Sequence, residues 1–330
     1  MQDPLVETSD HSAFLKILNQ TANPASSSEI ADNLKRLRRL VLTRGIPDDT
    51  DGASDDGRSS TRARVWKLLL RVDGVSPEEY LRWVDMGPSE VSAKIKNDTF
   101  RTLATDLNFK GKVREDMLIR LLEAFAWKNS QNGMARQPSG LPETAYHRKT
   151  NRGPFDFAYV QGMNVLSAPF LYALPSEIEA FACFSRFIET CCPLYVQPTL
   201  TGVHRGLELL DKCLQAVDIE LYEHLRSKNL FAELYAFPSV LTLCACTPPL
   251  DQVLKLWDFL LAFGVHLNIL CVIAQLLIMR DELMASTSPM KILRIFPPLQ
   301  ATSVISITVA LVKDVPEDLY GDLVKHPYTL

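Results

Sequence analysis

Apolar residues recur along this 330-residue chain at intervals of three and four, and rarely at intervals of two. That period lines side chains along one face of an α-helix. In "SSSEIADNLKRLRRLVLTRG" (residues 26–45), Ile30, Leu34, Leu37 and Val41 share a face, with serine before them and Gly45 after. Those flanks are start and stop signals. "PSEVSAKIKNDTFRTLATD" (88–106) predicts a helix opened by Pro88 and Ser89 and carrying Val91, Ile95 and Asp98. "VREDMLIRLLEAFAWKN" aligns Val113, Met117, Leu121 and Phe125. "SEIEAFACFSRFIETCC" opens on a capping box, Ser176 and Glu179, and turns Ile178, Phe181, Ala182, Ser185 and Ile188 inward. Leu207, Leu210, Leu214 and Val217 repeat the pattern, as do Leu254, Trp257 and Leu261 before Gly264. The only β-rich run is "VISITVALV" (304–312), and no fixed-period repeat emerges. The chain reads as an all-α protein of a dozen or more helices.

Two polar stretches interrupt this pattern. "GIPDDTDGASDDGRSS" (45–60) holds nothing that can bury surface, so it is expected to be a mobile acidic loop that adds little to the core. "SQNGMARQPSGLPETAYHRKTNRG" (130–153) is a second loop, of a length that usually signals function or disorder. The segment Phe259–Met279 has no Asp, Glu, Lys or Arg and is long enough to span a bilayer. Gly264, His266, Asn268 and Gln275 interrupt it, which favours two buried helices joined at Gly264-Val265 and no membrane insertion.

Composition changes the picture little. With 47% hydrophobic and 22% charged residues and a net charge of −4, the chain has the make-up of a globular protein and no basic excess for nucleic acid or a membrane surface. The start, "MQDPLVETSDHSAFLKIL", lacks the basic region and apolar run of a signal peptide. Seven cysteines form no C-x-x-C pair and lie mostly in apolar runs, as reduced core residues of a cytosolic or nuclear protein would. The six histidines show no ligand spacing beside them, so no metal site is expected.

Two segments carry candidate chemistry. In "IKNDTFRT", Ile95, Asp98 and Arg101 fall at steps of three, which on a helix brings the last two side by side. Asp98 could hold the guanidinium by paired hydrogen bonds and fix its direction, or the two could be an ordinary surface ion pair. In "FDFAYVQGMN" (155–164), Gln161 sits in an aromatic setting before a glycine and a helix start. Its amide offers one donor group and one acceptor, suited to orienting a water, or equally to satisfying a turn. Gly162 allows close backbone approach or an unusual backbone angle. No G-x-x-x-x-G-K-[ST] loop occurs, so the chain is not itself a nucleotide-hydrolysing P-loop protein.

Taken in order, these segments resemble the TBC domain, the helical module that activates Rab-type small GTPases and their relatives. The family's I-x-x-D-x-x-R motif stands here as Ile95, Asp98 and Arg101, and its Y-x-Q-G-M motif as Tyr159, Gln161, Gly162 and Met163. Its opening motif, G-I-P followed by R-x-x-V-W, is "GIP" at 45–47 and "RARVW" at 62–66. A later Trp-Asp pair matches "LKLWDFLL" around Trp257 and Asp258. Within the family the chain is similar to a compact fungal branch of the spindle-position checkpoint, which restrains mitotic exit or septation. Two departures stand out. An insert at 48–61 separates the parts of the opening motif, and "RTLATD" replaces the frequent R-T-F-P after Arg101.

The resemblance implies a two-lobed, V-shaped helical domain over residues 28–325, divided near 200/201, after an N-terminal extension of residues 1–27. It implies a GTPase activator that is not itself an enzyme and supplies catalytic residues in trans. Arg101 would reach the phosphates, and Gln161 would orient water in place of the GTPase's own glutamine, both from one exposed concave face. Asp98 would position Arg101, and Gly162 would let the Gln161 backbone lie close to the partner. Tyr159 and Met163 would support them, while Trp66, Trp257 and Asp258 would serve the fold. GTP and magnesium would belong to the partner, so no cofactor is expected. The implied partners are a Ras- or Rab-like GTPase and a second activator subunit. The implied location is the cytoplasm, with the spindle pole body or cytoskeleton suggested by the branch. Two other readings stay open: a catalytically silent docking subunit, and a helical scaffold unrelated to GTPases.

Overall fold

A computed structural model of the chain describes residues 4–22, 27–48, 59–130 and 157–329. Among these residues there are nineteen α-helices and no strand. Helices Glu115–Asn129, Met163–Ala173 and Glu177–Cys191 pack on one another in succession. Helix Thr201–Val217 packs on Asn268–Ile278, which lies against Ala301–Leu311. Buried side chains on both sides of residue 200 belong to one contiguous cluster that runs from Phe14 to Leu323.

The aromatic centre of that cluster joins distant parts of the sequence. Trp66 meets Phe170 edge-on with ring centroids 5.5 Å apart, and Trp257 stacks on Phe187 at 5.3 Å. Indole nitrogens need partners when buried. Trp66 Nε1 donates to Asp258 Oδ1 at 2.7 Å, and Trp257 Nε1 donates to the Leu243 carbonyl at 3.0 Å. Arg62 Nε donates to both Asp258 oxygens, at 3.1 and 3.2 Å, and its Nη1 reaches Asp48 Oδ1 at 2.9 Å. Burial pushes the Asp258 carboxyl up to about 6, and the charge of Arg62 acts against that rise. The opening motif and the Trp-Asp pair are thus two halves of one buried polar clasp, which bears out a structural role for Trp66, Trp257 and Asp258.

Several expectations shift. The proposed extension before residue 28 contains helix Pro4–Ala22, which packs on Ser27–Arg44 and Thr61–Leu69 and buries Phe14 completely. The insert at 48–61 is not peripheral at its edges. Asp48 binds Arg62, and Ser60 caps helix Thr61–Leu69 by accepting from Ala63 N at 3.1 Å. Its interior, 49–58, and all but Ser130 of the loop at 130–153 lie outside the described residues. The helix expected from Pro88 begins at Ser92, with Val91 as its cap, while the Ser89 amide donates to Glu123 Oε2. In helix Glu177–Cys191 the inner face includes Cys183, Phe184 and Phe187, and leaves Ile178 and Ala182 half-buried.

The β-rich run is helical, Ala301–Leu311, because Val304, Thr308 and Leu311 repeat at helical spacing and are buried. The long apolar segment is interrupted as expected. Helix Leu250–Phe263 stops at Gly264, whose φ of +120° a residue with a side chain rarely adopts. A short 3₁₀ turn, Val265–Leu267, follows, then helix Asn268–Ile278. Among the described residues no helix is long and apolar enough to cross a membrane. All seven cysteines are free, five of them buried.

The chain's last described residues close the core. Tyr195 and His326 are buried, and the Tyr195 hydroxyl lies 2.9 Å from His326 Nε2. His326 Nδ1 lies 2.6 Å from the Leu323 carbonyl, which can only accept. Nδ1 therefore donates, and in the neutral imidazole Nε2 accepts from the Tyr195 hydroxyl. Burial lowers the His326 pKa to about 4.

Two predictions follow from these contacts. Asp258→Ala removes the buried counter-charge of Arg62, leaving it only the exposed Asp48, and the acceptor of Trp66, and should cost about 3–5 kcal/mol, read as a lower urea midpoint. For His326 the folded-state pKa is depressed, so the unfolded chain binds the extra proton first. Its contribution is fully present above about pH 6.5 and is lost as pH falls toward 4. Between pH 7 and 5 this one residue should cost about 2 kcal/mol. In paired urea titrations the pH dependence should be correspondingly shallower for His326→Gln.

Candidate functional site

Helix Ser92–Thr99 ends at Phe100, so Arg101 stands just past the helix and not on it. The Thr102 amide donates to Thr99 O at 3.0 Å, and that of Asp106 to Leu103 O at 3.0 Å. These two tight turns carry the chain away from Arg101, with Leu103 at φ +44°. The departure "RTLATD" is therefore accommodated by backbone that enters the left-handed region at a leucine. Arg101 Nη2 donates to Asp98 Oδ1 at 2.6 Å. The Arg101 side chain is 56% exposed and that of Asp98 only 10%. A nearly buried carboxylate thus holds a guanidinium that projects into solvent.

The expected paired contact is not what forms. Asp98 gives one oxygen to Arg101, and its other oxygen accepts from the Tyr159 hydroxyl at 2.9 Å. Burial, and then the hydrogen bond to Asp98, push the Tyr159 pKa far up, so the hydroxyl stays a donor. A guanidinium has five N–H donors, and only one is used on Asp98. The remainder stay free of that carboxylate.

Tyr159 leads into the turn that carries Gln161. Gln161 is exposed, while Gly162, Met163 and Asn164 beyond it are buried. Gly162 has φ +102°, and a Cβ there would meet Leu241 Cδ2 at 2.9 Å. The close approach that glycine permits here is to Leu241 of this same chain. Met163 is 1% exposed, and its Sδ accepts from Val160 N at 3.3 Å, which closes the turn from inside.

The structure also brings in two residues that motif reading passed over. Asn164, in helix Met163–Ala173, donates through Nδ2 to Asp98 O at 3.2 Å and to Thr102 Oγ1 at 2.8 Å. Its Oδ1 accepts from Gly162 N at 3.2 Å. The Thr102 hydroxyl donates to Asp98 O at 3.1 Å. One signal was legible: a lone asparagine on the first turn of the apolar helix "MNVLSAPFLYA" must find partners when buried. Phe100, beside Arg101, is 66% exposed, unusual for an aromatic side chain.

The site therefore consists of two exposed polar side chains, Arg101 and Gln161, on two turns that one hydrogen-bonded network joins. It presents a donor-rich cation and an amide. Among the described residues no group of three His, Cys, Asp or Glu side chains is arranged to hold a metal.

Residues 59–284 match the Rab-GTPase-TBC domain family, and the chain belongs to that family. Its relatives include cell division control protein 16 of Schizosaccharomyces pombe, 44% identical over 94% of this chain and 93% of that protein. Mitotic check point protein BUB2 of Saccharomyces cerevisiae is 39% identical over 89% of this chain and 92% of that protein. The fold is similar to the crystal structure of the Ypt/Rab-GAP domain of Gyp1p, with a TM-score of 0.61 over 93% of this chain and 98% of that one at 15% identity. A Chlamydomonas flagellar RabGAP TBC domain aligns over 100% of this chain and 97% of that one, with a TM-score of 0.56 and 15% identity.

Gly162→Ala tests the turn that carries Gln161. Positive φ and the contact with Leu241 together should cost about 1–3 kcal/mol, measured by thermal or urea unfolding.

Proposed function

We propose that this chain is a GTPase-activating protein that supplies Arg101 and Gln161 in trans to a Ras- or Rab-like small GTPase. The observation that carries the proposal is the pairing itself. In a chain of the TBC family, an exposed arginine bonded to Asp98 and an exposed glutamine sixty residues away stand on two turns that one buried network around Asp98 joins. A scaffold unrelated to GTPases would give no reason to hold an arginine and a glutamine together in this way.

GTP hydrolysis needs charge neutralised near the β–γ bridge and a water held in line with it. Arg101, anchored by a single hydrogen bond to Asp98, keeps most of its donors for phosphate oxygens. Gln161 can accept from the attacking water and donate to a phosphate oxygen through one planar amide. Neither residue has to move a proton, so positioning and electrostatics carry the rate. Nucleotide and magnesium are the partner's.

Likeness over about nine-tenths of the chain to a cell division control protein and a mitotic check point protein supports a role in restraining mitotic exit or septation. A second activator subunit, and action in the cytoplasm or at the spindle pole body, belong to the same proposal.

The test is single-turnover phosphate release from purified Ras- and Rab-type GTPases, with and without this chain. Arg101→Ala should lower the stimulated rate by about 10³-fold while binding to the GTP-bound partner changes little. Gln161→Ala should cost less, about 10- to 100-fold. Full stimulation by Arg101→Ala would remove its catalytic role and leave a docking subunit as the reading.

A further inference from the structure

We infer that Asn164 is a positioning residue that sets the separation of the two fingers, an inference that rests on the roles proposed for Arg101 and Gln161. Its side chain is 5% exposed, and each of its hydrogen bonds is to one of the two finger turns. The Nδ2 group reaches Asp98 O and Thr102 Oγ1, which stand on either side of Arg101 in sequence. The Oδ1 atom takes the amide of Gly162, the residue after Gln161. Chemistry fixes which end is which, because a backbone carbonyl can only accept and a backbone amide can only donate.

A capping role alone does not account for this arrangement. Holding Gly162 N would need only the oxygen, as an aspartate or serine could supply. The nitrogen spends both of its donors on the other turn, and the Thr102 hydroxyl gives the Asp98 carbonyl a second side-chain bond. The link from Asp98 to Tyr159 fixes the carboxylate, whereas Asn164 fixes the backbone on both sides of Arg101. One planar amide in a largely apolar helix thus ties the two turns together at a set distance.

The first test needs no partner. In hydrogen–deuterium exchange, Asn164→Ala should accelerate exchange at least about tenfold in residues 99–103 and 160–163 together, while helix Glu177–Cys191 stays protected. Release of one segment without the other would overturn the inference. Thr102→Val, which removes a single hydroxyl, should raise exchange in 99–103 and keeps the test open if Asn164→Ala folds poorly. No change there would count against the inference.

The second test uses phosphate release from a GTPase that the wild-type chain stimulates. Asn164→Ala, at a temperature where it is folded, should lower the stimulated rate at least about tenfold while affinity for the GTPase changes less than about threefold. In an Arg101→Ala/Gln161→Ala background it should add little, because it acts through residues already disabled. A merely structural residue would add the same loss in both backgrounds. If Arg101→Ala is inactive and Asn164→Ala fully active, this inference alone fails. If Arg101→Ala is itself fully active, the finger reading fails first.

Discussion

A carboxylate taken out of water must find its hydrogen bonds and its counter-charge inside the protein, or the fold does not hold. This chain buries two that organise much of what surrounds them. Asp258 collects Arg62 and Trp66 from the opening motif, and so draws an early helix against the centre of the molecule. Asp98 collects Arg101 from its own turn and Tyr159 from sixty-one residues away, and so brings two turns to one place. The same physical demand serves the fold in one case and a candidate site in the other. What differs is the partner's exposure. The Arg62 side chain is 11% exposed, Arg101 56%.

That difference lets the proposed chemistry lie on turns whose backbones are anchored. Arg101 stands past a helix end and Gln161 before a helix start, where side chains can project. Turns of that kind are ordinarily the most mobile parts of a domain. Here both are fastened from beneath, by Asp98, Tyr159 and the Asn164 amide. The groups left outward include most of a guanidinium and a primary amide. Gly162 contributes by letting Leu241 pack against the turn where any side chain would collide.

Helical periodicity was legible because apolar faces repeat at three and four residues, and Ser176, Gly264 and Gly162 mark element ends through local backbone chemistry. The capping of helix Thr61–Leu69 by Ser60 and the Asp48–Arg62 contact were not legible, since both lie in a stretch whose composition resembles a loop. The run 304–312 shows the limit of propensity, because burial of Val304 and Thr308 on one helical face outweighs their β-branching. Of the candidate site, spacing showed Asp98 beside Arg101 and Gln161-Gly162 ahead of a helix, while Tyr159 and Met163 came in only with the resemblance to the TBC family. The partners of Asn164 and Thr102 were not legible, because a hydrogen bond between residues sixty-two apart leaves no local pattern. Nor could spacing tell that Asp98 would divide its oxygens between Arg101 and Tyr159.

The claim most open to direct measurement is that the water-orienting amide comes from this chain and not from the GTPase. Single-turnover phosphate release should be followed for a GTPase whose own switch glutamine is replaced by alanine, with the wild-type chain and with Gln161→Ala. The account predicts that the wild-type chain still stimulates this crippled GTPase by orders of magnitude and that Gln161→Ala does not. A GTPase that responds when intact but becomes unresponsive once its own glutamine is lost would contradict it.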